Sequence, residues 1–170
     1  MVAIRPPQAE DMPREPELRA MAKSAFLSGH GHLFSDEERE LILNTDSADI
    51  YRFSWQPLPI ARMMMLAVDG PRIVGAITLH RHTTPATYGV VEPMNVHPDY
   101  QRQGVGTQLW TAIAAQAKRL GDRGILVWAL DGNEIAINFY SKKLGLKIVG
   151  TGEWWLLDHQ EPATGFQVDL

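Results

Sequence analysis

The sequence predicts an α/β fold spanning residues 1–170 as a single domain: a mixed, mostly antiparallel sheet of about seven strands with a central parallel pair, flanked by about four helices. Three observations carry that expectation. The chain has 170 residues, 45% of them hydrophobic and 21% charged, which is one domain's worth of core with no low-complexity segment. Several short β-like runs, one pair of them a hairpin, precede a single long amphipathic helix. Directly after that helix, Ile125-Leu126-Val127-Trp128-Ala129-Leu130 is apolar throughout, as in a strand buried on both faces. Strand, helix, strand in that order implies a right-handed parallel crossover.

Val2 to Arg5 reads as a short strand closed by Pro6-Pro7, and Pro16 to Ser28 as a helix with Leu18, Met21, Ala22 and Ala25 on one face. Gly29-His30-Gly31-His32 breaks it. Ser35-Asp36-Glu37-Glu38 matches a capping box opening a second helix to about Asn44, and Asn44 to Pro59 reads as a loop carrying Tyr51, Phe53 and Trp55. Ala61 to Val68 and Arg72 to His80 flank Asp69-Gly70-Pro71 as a hairpin, and Tyr88 to Val96 follows the turn-rich Thr83 to Thr87. From Gly104 to Leu120 an apolar stripe of Val105, Leu109, Ile113, Ala117 and Leu120 marks the long helix, with Gly121 at its end. Asn133 is placed to cap a helix from Glu134 to about Leu144, ended by Gly145; Leu146 to Val149, Glu153 to Leu157 and Phe166 to Leu170 are β-like.

The net charge of −4 offers no broad basic surface for a nucleic-acid backbone, and the longest apolar runs, Met63 to Val68 and Trp154 to Leu157, are far too short to span a bilayer. The opening Met1 to Pro7 lacks the apolar stretch of a secretory signal, so a cytoplasmic location is expected. With no cysteine, the chain has neither disulfides nor an acyl-cysteine route. His80 and His82 alternate onto one face, but without a third ligand they read as hairpin-end surface residues, and no metal is expected.

The segment joining the third strand run to the long helix is Gln101-Arg102-Gln103-Gly104-Val105-Gly106-Thr107. Unpaired amides at the start of a helix, with glycines that let an anion approach the backbone, make a phosphate site; the competing reading is a tight turn that merely begins a helix. No lysine follows Gly106 as a nucleoside-triphosphatase loop demands, and Leu109 stands where a dinucleotide fingerprint needs its third glycine.

The string Val96-His97-Pro98-Asp99-Tyr100-Gln101-Arg102-Gln103-Gly104-Val105-Gly106-Thr107 closely resembles the acetyl-CoA signature of the GNAT superfamily, V-x-P-x-x-[QR]-x-x-G-x-[GA]. About 30 residues on, Asn133-x-x-Ala136-x-x-Phe139-Tyr140-x-x-x-x-Gly145-Leu146 resembles that family's second element. The resemblance implies acetyl-CoA as cosubstrate, with the amides of Gln101, Arg102, Gln103, Gly104, Val105, Gly106 and Thr107 on its pyrophosphate and Arg102 adding a charge. Backbone groups of the strand through Met94 and Val96 would meet the pantetheine arm, and Asn133 would hydrogen-bond it or its neighbouring backbone.

It further implies that Tyr140 protonates the departing thiolate; the plainer reading is a ring packed beside Phe139. Glu92, on the strand entering the loop, is the candidate base, against a merely paired or solvated carboxylate. Val90 occupies the glutamate position of histone-type members, two residues before Glu92 on the same pleat, so Glu92 keeps the facing but sits one rung away; Trp128 occupies that of ribosomal-protein N-terminal acetyltransferases, whose mechanism therefore does not carry over. The expected function is acetyl transfer to a primary amine on a small molecule, by direct attack in a ternary complex. A peptide or protein amine and a non-catalytic acyl-CoA-binding module are the alternatives, and a homodimer is compatible with either.

Overall fold

The computed structural model describes residues 1–44, 60–82, 87–156 and 159–170. The loop expected over residues 45–59 and most of the turn over 83–86 lie outside these. In chain order the elements are β1 (Ala3–Arg5), a 3-10 turn (Ala9–Arg14), α1 (Glu15–His30), α2 (Asp36–Asn44), β2 (Ile60–Asp69), β3 (Arg72–His82), β4 (Tyr88–Val96), α3 (Val105–Arg119), β5 (Gly124–Leu130), α4 (Glu134–Asn138) continued by a π turn (Phe139–Lys143), β6 (Lys147–Leu156) and β7 (His159–Asp169). The strands form one seven-stranded sheet in the order β1-β2-β3-β4-β5-β7-β6. Only β4 and β5 run parallel; every other neighbouring pair is antiparallel. The fold class read from the sequence is therefore the one observed.

Alternation along the strands sorts the core onto two faces. On one, α3 lays Val105, Leu109, Ile113 and Ala117 against Val74, Ile77, Leu79, Ile125 and Val127. On the other, Met21 of α1 packs with Leu66, Val68, Ile73 and Ala76, and Phe26, Phe34 and Ile42 join α1 to α2. α2 starts as expected: Ser35 Oγ accepts from the Glu38 amide at 3.3 Å while Glu38 Oε2 accepts from the Ser35 amide at 2.8 Å.

Several expected boundaries move. Gly29 does not break α1, which runs to His30. Leu120 is not part of the buried stripe, because α3 ends at Arg119 and leaves it 44% exposed. The two strands expected over 146–149 and 153–157 are one, β6, since Gly150 and Gly152 extend through it rather than turning. β7 starts seven residues before Phe166: its polar opening residues pair with β6 from Leu156↔His159 onward, and hydrophobic patterning does not register them.

Candidate active site

The sheet opens where its parallel pair ends. β4 and β5 pair only from Tyr88↔Gly124 to Val91↔Val127, yet β4 continues to Val96 and β5 to Leu130. On the other edge of β4, the register jumps from Leu79↔Val91 to Ile77↔Met94, leaving Glu92 and Pro93 opposite Thr78 alone. Such a bulge bends its strand, and here β4 leans away from β5. Between them lies a cavity of about 1510 Å³, whose lining includes Glu92, Met94, Gly104, Gly106, Trp128 and Tyr140. That exceeds the roughly 300–1,000 Å³ of a typical single-ligand site, leaving room for two reactants.

At the cavity's α3 end, the turn carries two left-handed residues, Arg102 at φ +59° and Gly104 at φ +84°. Gly104 stands at the N-cap without a side chain to cap the helix. The amides of Val105, Gly106 and Thr107 therefore have no intrahelical acceptor and point out of the helix end. At Gly106 an added Cβ would sit 3.2 Å from Met94 Cε and 3.5 Å from the Phe139 ring, so a glycine leaves that approach clearer than a larger residue would. Val105 itself turns its side chain into the core. The side chains of Gln101 and Gln103 are engaged elsewhere. Gln101 Nε2 donates to Val96 O at 3.1 Å and to Ser28 Oγ at 2.9 Å, tying loop, strand and α1 together, and Gln103 Nε2 donates to Asp99 O at 2.5 Å. Their side chains thus brace the loop, and the backbone amides from Arg102 to Thr107 are left for a ligand; that of Gln101, expected on the pyrophosphate, instead donates to Pro98 O at 3.1 Å and closes the preceding turn.

Tyr140 comes from the π turn. Leu144 N donates to Phe139 O at 2.9 Å, and this wider turn lets the consecutive rings of Phe139 and Tyr140 both face inward. The sequence reading of one α-helix from 134 to 144 misses it, because helical periodicity does not distinguish an added residue per turn. Trp110, Phe139 and Phe166 surround the Tyr140 ring at centroid distances of 5.9, 5.4 and 5.8 Å. Among the described residues its hydroxyl reaches only Met94 Sδ, at 3.9 Å, and burial pushes the phenol well above its ordinary value. It is a proton donor with no strong internal acceptor.

Asn133 does cap α4, Oδ1 accepting from Ala136 N at 3.0 Å, and its Nδ2 donates to His30 Nε2 at 3.1 Å. His30 Nδ1 in turn donates to Phe26 O at 2.9 Å. Asn133 thus clasps α4 to α1 at the cavity's edge, and one Nδ2 proton is left.

Glu92 is half-buried in the opened part of β4, and desolvation alone pushes its carboxyl up to about 7. It makes no ion pair among the described residues. Cross-strand register puts Arg62 of β2 beside His80 of β3, and His80 Nε2 donates to the Glu92 carbonyl at 2.8 Å. His80 is thus not the surface residue that the sequence suggests: it is half-buried, its ring anchors the bulge, and desolvation, outweighing that hydrogen bond, lowers its pKa. Trp128 lies on the other side of Glu92. The sequence reading notices it only as a missing glutamate; its signal is three glycines spaced along β6 and β7. A Cβ at Gly165 would come 3.0 Å from the Trp128 ring, at Gly152 3.3 Å and at Gly150 4.0 Å. Among the described residues, no three His, Asp or Glu side chains converge as metal ligands, and no helix is long and apolar enough to cross a membrane.

A sheet split at its parallel pair, with a glycine-started helix aimed into the split, defines a coenzyme-binding transferase domain. The chain belongs to the acetyltransferase (GNAT) family, whose model matches residues 24–146. No curated protein matches the sequence. Its fold is similar to that of NAA60 of Arabidopsis thaliana in complex with acetyl-CoA, at 14% identity and TM-score 0.66 over 100% of this chain and 99% of that one. It is also similar to the ribosomal-protein-S18-alanine N-acetyltransferase of Escherichia coli, at 17% identity and TM-score 0.65 over 99% and 94%. The PaiA N-acetyltransferase of Thermoplasma acidophilum, in complex with coenzyme A, aligns at 16% identity and TM-score 0.67 over 97% and 98%. The protein is thus an acetyl-CoA-dependent N-acyltransferase with acetyl-CoA as cosubstrate. The residues present fit that coenzyme: the uncapped start of α3 and the clearance at Gly106 suit a pyrophosphate.

Proposed function

We propose that the protein acetylates a primary amine on a small molecule by direct attack in a ternary complex. The observation that carries this reading is one cavity that holds the bare helix start, the Tyr140 phenol and the Glu92 carboxyl, which has no ion-pair partner among the described residues. When bound, acetyl-CoA supplies an activated acyl group and a thiolate leaving group. The amides of Arg102 through Thr107 hold its pyrophosphate and Arg102 adds a charge-assisted bond. The stretch of β4 beyond its pairing with β5, through the backbone of Met94 and the Val96 amide, and the remaining Nδ2 proton of Asn133 orient the pantetheine arm; the Val96 carbonyl already accepts from Gln101 Nε2. Glu92, with a carboxyl near neutrality, takes a proton from the acceptor ammonium directly or through water. Tyr140, kept protonated by burial, gives its proton to the leaving sulfur.

The half-burial of Glu92 on a cavity wall shared with His80 and Trp128 supports a small acceptor. The second reading is a peptide or protein amine, favoured by the named activity of the E. coli structural relative. The test follows free thiol as the protein is offered acetyl-CoA with a panel of small amines and short peptides. Release dependent on a small amine supports the proposal; release with peptides alone replaces it with the second reading.

A further inference from the structure

Glu92 sits between two different surfaces. Toward β3 and β2 are His80 and then Arg62, an exposed guanidinium with no ion-pair partner among the described residues. Toward β5 and β6 are two indoles, Trp128 and Trp154, with ring centroids 6.4 Å apart, and both line the cavity along with Glu92. Trp128 is not merely filling space, because the sheet under it has been emptied to receive it. Gly165 and Gly152 leave out the Cβ atoms that would stand 3.0 and 3.3 Å from its ring. An alanine at either site would press on the indole and displace it from the sheet by a few tenths of an ångström. The glycines therefore set how deep the indole lies, and hence how much space remains in front of Glu92.

Resting on the acetyl-transfer reading above, we propose that Trp128, backed by Trp154, is the wall that determines acceptor specificity and selects a monoamine bearing a planar apolar group, an aromatic ring on a short chain. The ring lies against the indoles while its amine reaches Glu92. Aromatic pairs favour offset or edge contacts, and an indole face also attracts the arriving ammonium. Charge argues against polyamines. A second ammonium on an extended acceptor would meet Arg62 on one side or an uncharged indole wall on the other, and the one further carboxylate among the described lining residues is Glu134, at the start of α4.

The experiment compares 2-phenylethylamine, n-butylamine, spermidine and an uncharged-side-chain tripeptide. Each is titrated calorimetrically into the coenzyme A complex, and acetyl-CoA turnover is followed by thiol release. Trp128→Phe, Trp128→Leu and Trp128→Ala are carried alongside the wild type, and coenzyme affinity reports on whether each variant is folded. Phenylethylamine should bind at least about tenfold more tightly than butylamine. That margin should survive in Trp128→Phe and shrink to roughly twofold or less in Trp128→Leu and Trp128→Ala, the loss appearing in KM with kcat nearly unchanged. Equal binding of the two amines, or tighter binding of spermidine or the tripeptide, overturns the proposal. So does a margin indifferent to Trp128 in variants that hold coenzyme A normally. If no amine releases thiol, acetyl transfer to this panel fails, while the calorimetric preference still decides the role of Trp128 on its own.

Discussion

Burial acts on Glu92 and Tyr140 in the same direction and leaves them with opposite chemistry. Desolvation disfavours both anions. For the phenol this holds the proton on throughout the neutral range, whereas for the carboxyl, pushed up to about 7, it produces a group half-ionised near neutrality. Tyr140→Phe should therefore lower kcat by roughly 10²-fold while coenzyme affinity, measured by calorimetry, stays within about twofold. Only ionised Glu92 accepts a proton, so kcat/KM should rise with pH through about 7 and level off above it, and Glu92→Gln should flatten that limb. Stability carries the reverse sign. A carboxyl raised from 4.5 to about 7 binds its proton more tightly in the folded state, so its unfavourable contribution grows as pH rises between those values. Glu92→Gln should accordingly raise Tm by roughly a few degrees at pH 8 and by almost nothing at pH 4.5, as thermal denaturation at both would record.

At the scale of elements, the start of α3 is where conformation and binding are most tightly joined. Gly104 at φ +84° occupies backbone space that a β-branched side chain enters only with strain of roughly 1–3 kcal/mol. Gly104→Val should weaken coenzyme A binding by about tenfold or more, by twisting the amides of Val105 to Thr107 away; unchanged affinity would mean that this helix end is not where the diphosphate lies. Much of this element was legible in advance. Spaced glycines, a preceding proline and an apolar stripe at helical period specify a turn, its direction and the helix that follows. The capping box at Ser35 and the cap at Asn133 were legible for the same reason, since each rests on contacts within four residues. What was hidden depends on distant partners. The π turn at Phe139 answers to Trp110 and Phe166, which compete for the Tyr140 ring, and the continuity of β6 through Gly150 and Gly152 answers to Trp128 on another strand. His80 looked like a surface residue because its acceptor, the Glu92 carbonyl, exists only once β4 has bulged.

Over the whole molecule, the same split that admits two reactants leaves the halves of the sheet joined by only four residue pairs of the parallel ladder. Contacts across the opening must make up the difference, and one of them is the clasp between α1 and α4. His30 donates through Nδ1 to Phe26 O and accepts through Nε2 from Asn133 Nδ2, which requires a neutral ring; desolvation, opposed by the bond to Phe26 and aided by nearby His32, holds its pKa below 6.5. A depressed histidine binds protons less well folded than unfolded. Its contribution is therefore complete above about pH 6.5 and is lost as pH falls toward the lower folded value. His30→Phe keeps a ring to stack on Phe26, whose centroid lies 4.4 Å from that of His30, but removes both hydrogen bonds. It should cost about 1–2 kcal/mol at pH 8 and progressively less as pH falls below 6.5 and the wild-type ring takes up a proton, because Asn133 then loses its acceptor. Denaturant unfolding of both proteins at pH 5, 6, 7 and 8 measures that difference directly. A gap independent of pH would assign His30 to packing alone, and a gap widening in acid would reverse the direction of the clasp.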